Sequence, residues 1–236
     1  MRAVLLGAAL VLLAGSAEAA PFDQAVSVTK VPAKSADDPA GQITCTFYRD
    51  LMVRESGTDT PDPNDATLVR GVAPRCDSER RADDVELKTE GFSLLGRKGR
   101  FLFFGATDPN GAVPFRVIDA SGNMIFEDST AADSGIRSVA VKSGGLHVRY
   151  RRGFNASCSL VQNAADCWSK LVAEAKLPQD MARVAPPSSL CAAAYKAGKA
   201  PADDPSVVMY DVEMRIDAAG QAHVLSHGAV SCAPLP

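Results

Sequence analysis

The sequence predicts a mainly β fold of the α+β kind: an antiparallel meander or sandwich-like single domain with a short two-helix excursion, stapled by disulfides. Three observations carry this. Apolar and polar residues alternate with period two over much of the chain, which is the signature of half-buried strands. The alternating segments follow one another through short turns, for which an antiparallel meander is the economical topology. One stretch, residues 163–198, switches to the 3.6-residue period of helices.

In chain order, residues 24–30 alternate through Val26 and Val28 and read as the first strand, before a loop at 32–41. Residues 43–47 place Ile43, Cys45 and Phe47 on one face, and 51–53 continue or restart that strand. Residues 56–66, rich in Gly, Thr, Pro and Asp, read as a loop. Residues 100–104 read as a well-buried strand. The next, 112–119, puts Val113, Phe115 and Val117 on one face, with Pro114 marking its start or an edge. Ser121-Gly122 turns the chain into 123–127. Residues 136–141 and 146–150 form a hairpin about Ser143-Gly144-Gly145. Asn163 can cap a helix with the stripe Ala164, Cys167, Trp168, Leu171, Val172 and Ala175, ended by Pro178. A second helix starts after Pro186-Pro187 and carries Cys191 and Tyr195 on one face. A last hairpin joins 207–216 to 222–231 through Asp217-Ala218-Ala219-Gly220.

Residues 1–19 read as a cleavable secretory signal. Arg2 leads into an apolar run too short to span a bilayer, and Ala17-Glu18-Ala19 has the small-x-small pattern of a cleavage site. The mature chain is then residues 20–236, one domain, periplasmic or secreted, with no transmembrane anchor because no further run of spanning length follows. Six cysteines remain: Cys45, Cys76, Cys158, Cys167, Cys191 and Cys232. An even number in an exported chain reads as three disulfides. Among the fifteen pairings that six cysteines admit, placement favours Cys45–Cys76, Cys158–Cys167 and Cys191–Cys232 without excluding the others. The first ties down the base of the Pro/Asp-rich loop, the second fixes a strand-to-helix corner, and the third pins a helix to the C-terminus.

The formal net charge of −3, with no long basic run, points away from nucleic acid as a partner. The motif tests return little. Asp59 to Asp65 resembles a calcium loop, but counted from Asp62 the fifth and sixth positions are Ala66 and Thr67. Residues 91–96 are one residue too long for a Gly-x-Ser-x-Gly elbow. Ser27 and Lys30 fit Ser-x-x-Lys within a strand and lack partner motifs. His223 and His227 share a strand face about 13 Å apart, at ~3.3 Å per residue, too far for one metal; no metal and no cofactor is expected. Arg97, Lys98 and Arg100 form a compact basic turn, a candidate anion-binding patch if Arg149, Arg151 and Arg152 join it in space. The loop at 105–111 is long enough to carry recognition.

The runs Cys45-Thr46-Phe47-Tyr48-Arg49-Asp50-Leu51-Met52-Val53, Gly91-Phe92-Ser93-Leu94-Leu95-Gly96-Arg97-Lys98-Gly99 and Asn155-Ala156-Ser157-Cys158-Ser159-Leu160, ahead of Cys167-Trp168, resemble exported bacterial proteins of no known function. The resemblance spans most of the mature chain. It implies no activity and transfers no residue role. The residues themselves favour a non-catalytic binding or structural module of the envelope, with an unknown protein or small molecule as partner, because nucleophile, base and orienter cannot be named together. The alternative is a secreted hydrolase whose site is assembled from dispersed residues; a cleft with converging titratable groups discriminates it from a binding surface.

Overall fold

The computed structural model describes residues 20–33, 41–57, 66–71, 74–77, 79, 81–106, 111–131, 135–143, 145–174 and 177–235. The expected signal, the calcium-like run at 59–65 and loop residues 107–110 lie outside the described residues.

The first sheet has five antiparallel strands, each paired with the next: β1 (Ser27–Pro32), β2 (Gln42–Phe47), β3 (Leu51–Gly57), β4 (Ala66–Arg70) and β5 (Val85–Leu87). Alternation gives it two faces. Val53, Leu68 and Leu87 turn toward the second sheet, while Cys45, Met52 and Val69 turn away. Segment 74–84 covers the outward face and is held there twice. Cys76 is bonded to Cys45, with the Cα atoms 5.8 Å apart. The buried Arg54 guanidinium donates to the carbonyls of Asp77 (3.2 Å) and Glu79 (2.7 Å) and to Asp84 Oδ2 (3.1 Å). At the free edge, the Ala33 N–H to Gly41 carbonyl bond (2.7 Å) sets the ladder so that Lys30 and Pro32 turn their backbone outward. A charge and a missing donor there discourage strand addition.

The second sheet holds nine antiparallel strands. β6 (Ser93–Lys98), β7 (Phe101–Gly105), β8 (Ala112–Asp119) and β9 (Met124–Ala131) form a meander. β10 (Ile136–Lys142) and β9 then share the same edge of the long β11 (Gly145–Asn155). β12 (Ser206–Ile216) pairs along β11 and carries β13 (Ala222–His227) and β14 (Ser231–Pro234) on its far side. The sheet curls: a Cβ on Gly99, in the β6–β7 turn, would stand 3.4 Å from Val141 of β10. Pro114 is the third residue of β8, one step beyond the last β7 ladder pair Gly105–Phe115. Its carbonyl accepts from the Ala106 N–H (3.1 Å), and its donor-less nitrogen leaves only the reciprocal bond unmade where that ladder ends.

Curling divides the interior in two. Leu102, Phe104 and Ile118 meet the first sheet at Val53, Leu68 and Leu87. Phe101, Phe103, Phe115 and Val117 face the other way, onto Leu146, Val148 and Tyr150. There the Phe115 and Tyr150 rings meet edge to face at 5.2 Å. Every residue of β7 is therefore buried on one side or the other, as its continuous apolar run predicts. Burial of each such phenylalanine contributes about 1.5–3 kcal/mol.

The helical excursion closes the second core at β12. The Asn163 carbonyl accepts the first helical bond from Cys167 N–H (3.0 Å), opening α1 (Ala164–Glu174). Where two helices are expected there are three: a single turn, α2 (Gln179–Ala182), follows Pro178 and buries Met181. α3 (Ser188–Gly198) ends on Lys199 in the left-handed conformation, φ 54°. Its Tyr195 hydroxyl reaches the Asp204 carbonyl (2.7 Å) and Ser206 Oγ (2.7 Å). Disulfides Cys158–Cys167 and Cys191–Cys232, with Cα separations of 5.7 Å and 4.9 Å, anchor the helices to the sheet. All three bonds join the cysteines that placement favours. No described helix is long and apolar enough to cross a membrane.

Glu55 of β3 faces the contact between the sheets, where its carboxylate accepts from the Leu94 N–H at 2.7 Å. Burial raises its pKa above the usual glutamate value, against the opposing pull of that hydrogen bond. Its contribution to stability is thus full below the unfolded value near pH 4.3 and is lost as pH rises through the higher folded value. Glu55→Gln is therefore expected to be more stable than the parent near pH 7, with the difference shrinking toward pH 4. Urea midpoints of both proteins across that range check it; a glutamine variant less stable at pH 7 than at pH 4, relative to the parent, contradicts it.

Candidate ligand-binding face

Alternation along β11 and β12 sends Leu146, Val148, Tyr150 and Arg152 inward and His147, Arg149 and Arg151 outward. On β12 the outward residues are Asp211, Glu213 and Arg215, opposite Arg151, Arg149 and His147 in turn. β13 adds His223 opposite Arg215. The outer face of β10–β13 is thus a grid of charges one cross-strand spacing apart, about 4.5–5.5 Å between Cβ atoms.

Some of these charges are committed. Arg137 of β10 holds Asp211 with two nitrogens, at 3.0 Å and 3.2 Å. Arg151 donates to Ser231 Oγ (2.6 Å). Asp217 accepts from the backbone of Gln221 and Ala219 and stands 3.5 Å from His223, and these contacts, with the Gln221 bond foremost, hold its carboxyl below the usual range. Lys142, Arg149 and Arg215 make neither an ion pair nor a side-chain hydrogen bond among the described residues. Two recesses open on this face. One, of about 240 Å³, is lined by Arg137, Arg149, Asp211, Glu213 and Ser226 among others. The other, of about 280 Å³, lies between the β10–β11 and β12–β13 turns and is lined by Lys142, Ser143, His147, Arg215 and Asp217. A third, of about 510 Å³, lies on the first sheet beside Phe47, Tyr48 and Pro74.

The expectation that His223 and His227 share a face is corrected here. Ile216 pairs with Ala222 and Met209 with Ser231, so the later run carries two more residues than β12 does over the same length. The first insertion, a bulge beside Leu225, reverses the side on which residues point. His223 stays on the outer face opposite Arg215. His227 falls on the inner face opposite Val212, with its ring 6.3 Å from that of Tyr210 and Nε2 2.9 Å from Asp180 of α2. Among the described residues no group of three His, Cys, Asp or Glu is placed to hold a metal ion. Ser93 opens a β-strand rather than a strand-to-helix elbow.

The basic turn 97–100 joins β6 to β7 at the last strand of the sheet's order, which the curl brings beside Val141 of β10. Arg97 is gripped by Asp50, at 2.5 Å and 2.9 Å, with its guanidinium over the Tyr48 ring, so it links β6 to the β2–β3 turn. Lys98 lies 3.3 Å from Asp23. Arg100 stacks over Phe101 at 4.9 Å. Arg152 does not join them: it points inward and is paired with Asp128 at 2.8 Å. Asp128 also accepts from the Tyr150 hydroxyl, and Arg152 donates to the Tyr210 hydroxyl at 3.2 Å. Burial raises the pKa of both tyrosines, so both remain donors at any physiological pH. Burial is the largest influence on Arg152 and opposes its charge, but Asp128 together with the two tyrosines leaves its pKa raised. No motif flags this buried network. Its signal in the sequence is parity alone: Asp128 and Arg152 occupy the apolar register of their strands.

No family model, no curated protein and no solved structure matches the chain.

Proposed function

We propose that the protein is an exported, non-catalytic module, residues 20–236 forming one domain, that binds an anionic partner in the envelope or outside the cell through the outer face of β10–β13. The observation that carries this reading is the pair Lys142 and Arg215, two cations without carboxylate partners among the described residues, which line one recess together. The three disulfides support an oxidising compartment, since thiols stay reduced in the cytosol. A net charge of −3 means that whole-molecule attraction cannot substitute for a local site.

That charge makes the test sharp. The mature chain, negative overall near pH 7, is expected to be retained on phosphocellulose at low ionic strength and to elute as salt screens the contact. The double variant Lys142→Gln/Arg215→Gln is expected to flow through. Passage of the parent protein without retention contradicts the reading.

A further inference from the structure

We infer that the recess between the β10–β11 and β12–β13 turns is an oxyanion site, built for the phosphate or sulfate group of a small ester, with Lys142 and Arg215 supplying the charge and His147 a further donor. The inference rests on the binding-module reading and names the ligand class and the place.

Three features of the recess support it. At about 280 Å³ it lies just under the ~300–1,000 Å³ of pockets for drug-sized ligands, the size for a small group rather than a large apolar body. Its two fixed cations lack partners: Lys142 and Arg215 have no carboxylate within ion-pair distance among the described residues, whereas the neighbouring histidines each have a nearby acid, His147 with Glu213 at 3.9 Å and His223 with Asp217 at 3.5 Å. An anion in the recess would supply those two cations with a countercharge. Finally, His147 lines the recess and its Nδ1 is buried without a hydrogen-bond partner among the described residues.

The backbone is shaped for the same purpose. Gly145 forms part of the wall, and a Cβ there would meet the Ile216 carbonyl at 2.3 Å, so the two turns approach this closely only with glycine at that position. Ser143, at φ 48°, lines the recess at this turn together with Lys142. Asp217 also lines the recess and stays ionised, since two backbone N–H groups bond its Oδ1 and hold its carboxyl below the usual range; Lys142 and Arg215 outnumber it, so the recess keeps a positive balance.

Calorimetric titration of the full mature protein with inorganic phosphate, inorganic sulfate and glycerol 3-phosphate, at about 0.15 M ionic strength, tests this, with sedimentation of phosphatidylglycerol vesicles as a parallel arm. The vesicle arm separates a free ester from a lipid headgroup as the source of the same group. Arg215→Gln and Lys142→Gln are each expected to weaken binding about tenfold or more, the loss of one charged hydrogen bond. Arg149→Gln removes an unpaired cation two residues along from His147 and is expected to change binding by less than about threefold at this ionic strength. Thermal unfolding of each variant confirms that it is folded. If Arg149→Gln weakens binding as much as Arg215→Gln does, the face is diffusely attractive: the site is overturned and the binding module stands. Absence of saturable binding to every probe overturns the site and leaves the reading to its phosphocellulose test.

Discussion

Asp128→Ala is expected to lower the unfolding free energy by about 3–5 kcal/mol, the largest loss for any single charge in the second core. The Asp128 side chain is 4% exposed and balances Arg152, whose Nε lies 2.9 Å from Oδ1 and 2.8 Å from Oδ2. It also accepts from the Tyr150 hydroxyl and the Ser129 N–H. Without it the guanidinium keeps the Tyr210 hydroxyl and the Phe154 face, 4.9 Å away, but no countercharge. The cost is that of a stranded charge, so removing both partners tells the mechanism apart from simple loss of packing. Asp128→Leu/Arg152→Met is expected to recover most of the stability. Tyr150→Phe, which leaves the ion pair intact, is expected to cost only about 1 kcal/mol. Urea unfolding measures all three. A double variant as unstable as Asp128→Ala would show that the network is needed for more than charge balance.

Removing disulfides is expected to destabilise in the order of the loops they close. Cys191–Cys232 spans 41 residues, Cys45–Cys76 spans 31 and Cys158–Cys167 spans 9. Chain-entropy reasoning gives roughly 4 kcal/mol for each of the first two and about 2.5–3 kcal/mol for the last. The paired alanine variant at Cys191 and Cys232 has a further consequence. It removes the covalent tie between α3 and β14, and leaves this four-residue strand its ladder with β12, the hydrogen bonds of Ser231 and the packing of Ala233. Hydrogen exchange in 231–235 should then rise well above that in β11. Unfolding titrations of the three paired variants read the order; a Cys158–Cys167 removal that costs the most would mean that the corner it fixes matters more than the chain entropy it removes.

Much of this architecture is legible in the residues because burial and period coincide there. The runs at 101–104 and 112–119, the hairpin at 136–150 and the stripe Cys167, Trp168, Leu171 are each apolar on the side that packs. The disulfide partners follow from placement too: Cys45 and Cys76 flank the Pro/Asp-rich loop, Cys158 and Cys167 flank the strand-to-helix corner, and Cys191 and Cys232 tie a helix to the C-terminal strand. β4, β5 and β6 are harder to see. They are three to six residues long, and β6 reads Ser-Leu-Leu-Gly-Arg-Lys, with apolar residues side by side rather than alternating. A bulge between Leu94 and Gly96 is what reconciles that order with a strand. The bulge at Leu225 is equally silent: one extra residue in an unbroken alternating run moves His227 from the outer face to the inner one. The recess at Lys142 and Arg215 depends on strands β10 to β13 being side by side in one register. Residues 142 and 215 are joined only by that register, which a local pattern does not carry.

The most direct test of the central claim is a map of backbone amide shifts as inorganic sulfate is titrated into the mature protein. The account predicts saturable shifts concentrated at residues 142–147 and 213–219, on the two turns that enclose the recess, with the Arg97–Arg100 turn and the groove beside Phe47 unchanged. Shifts centred on residues 97–100, or a uniform drift over the surface with no saturation, would contradict it.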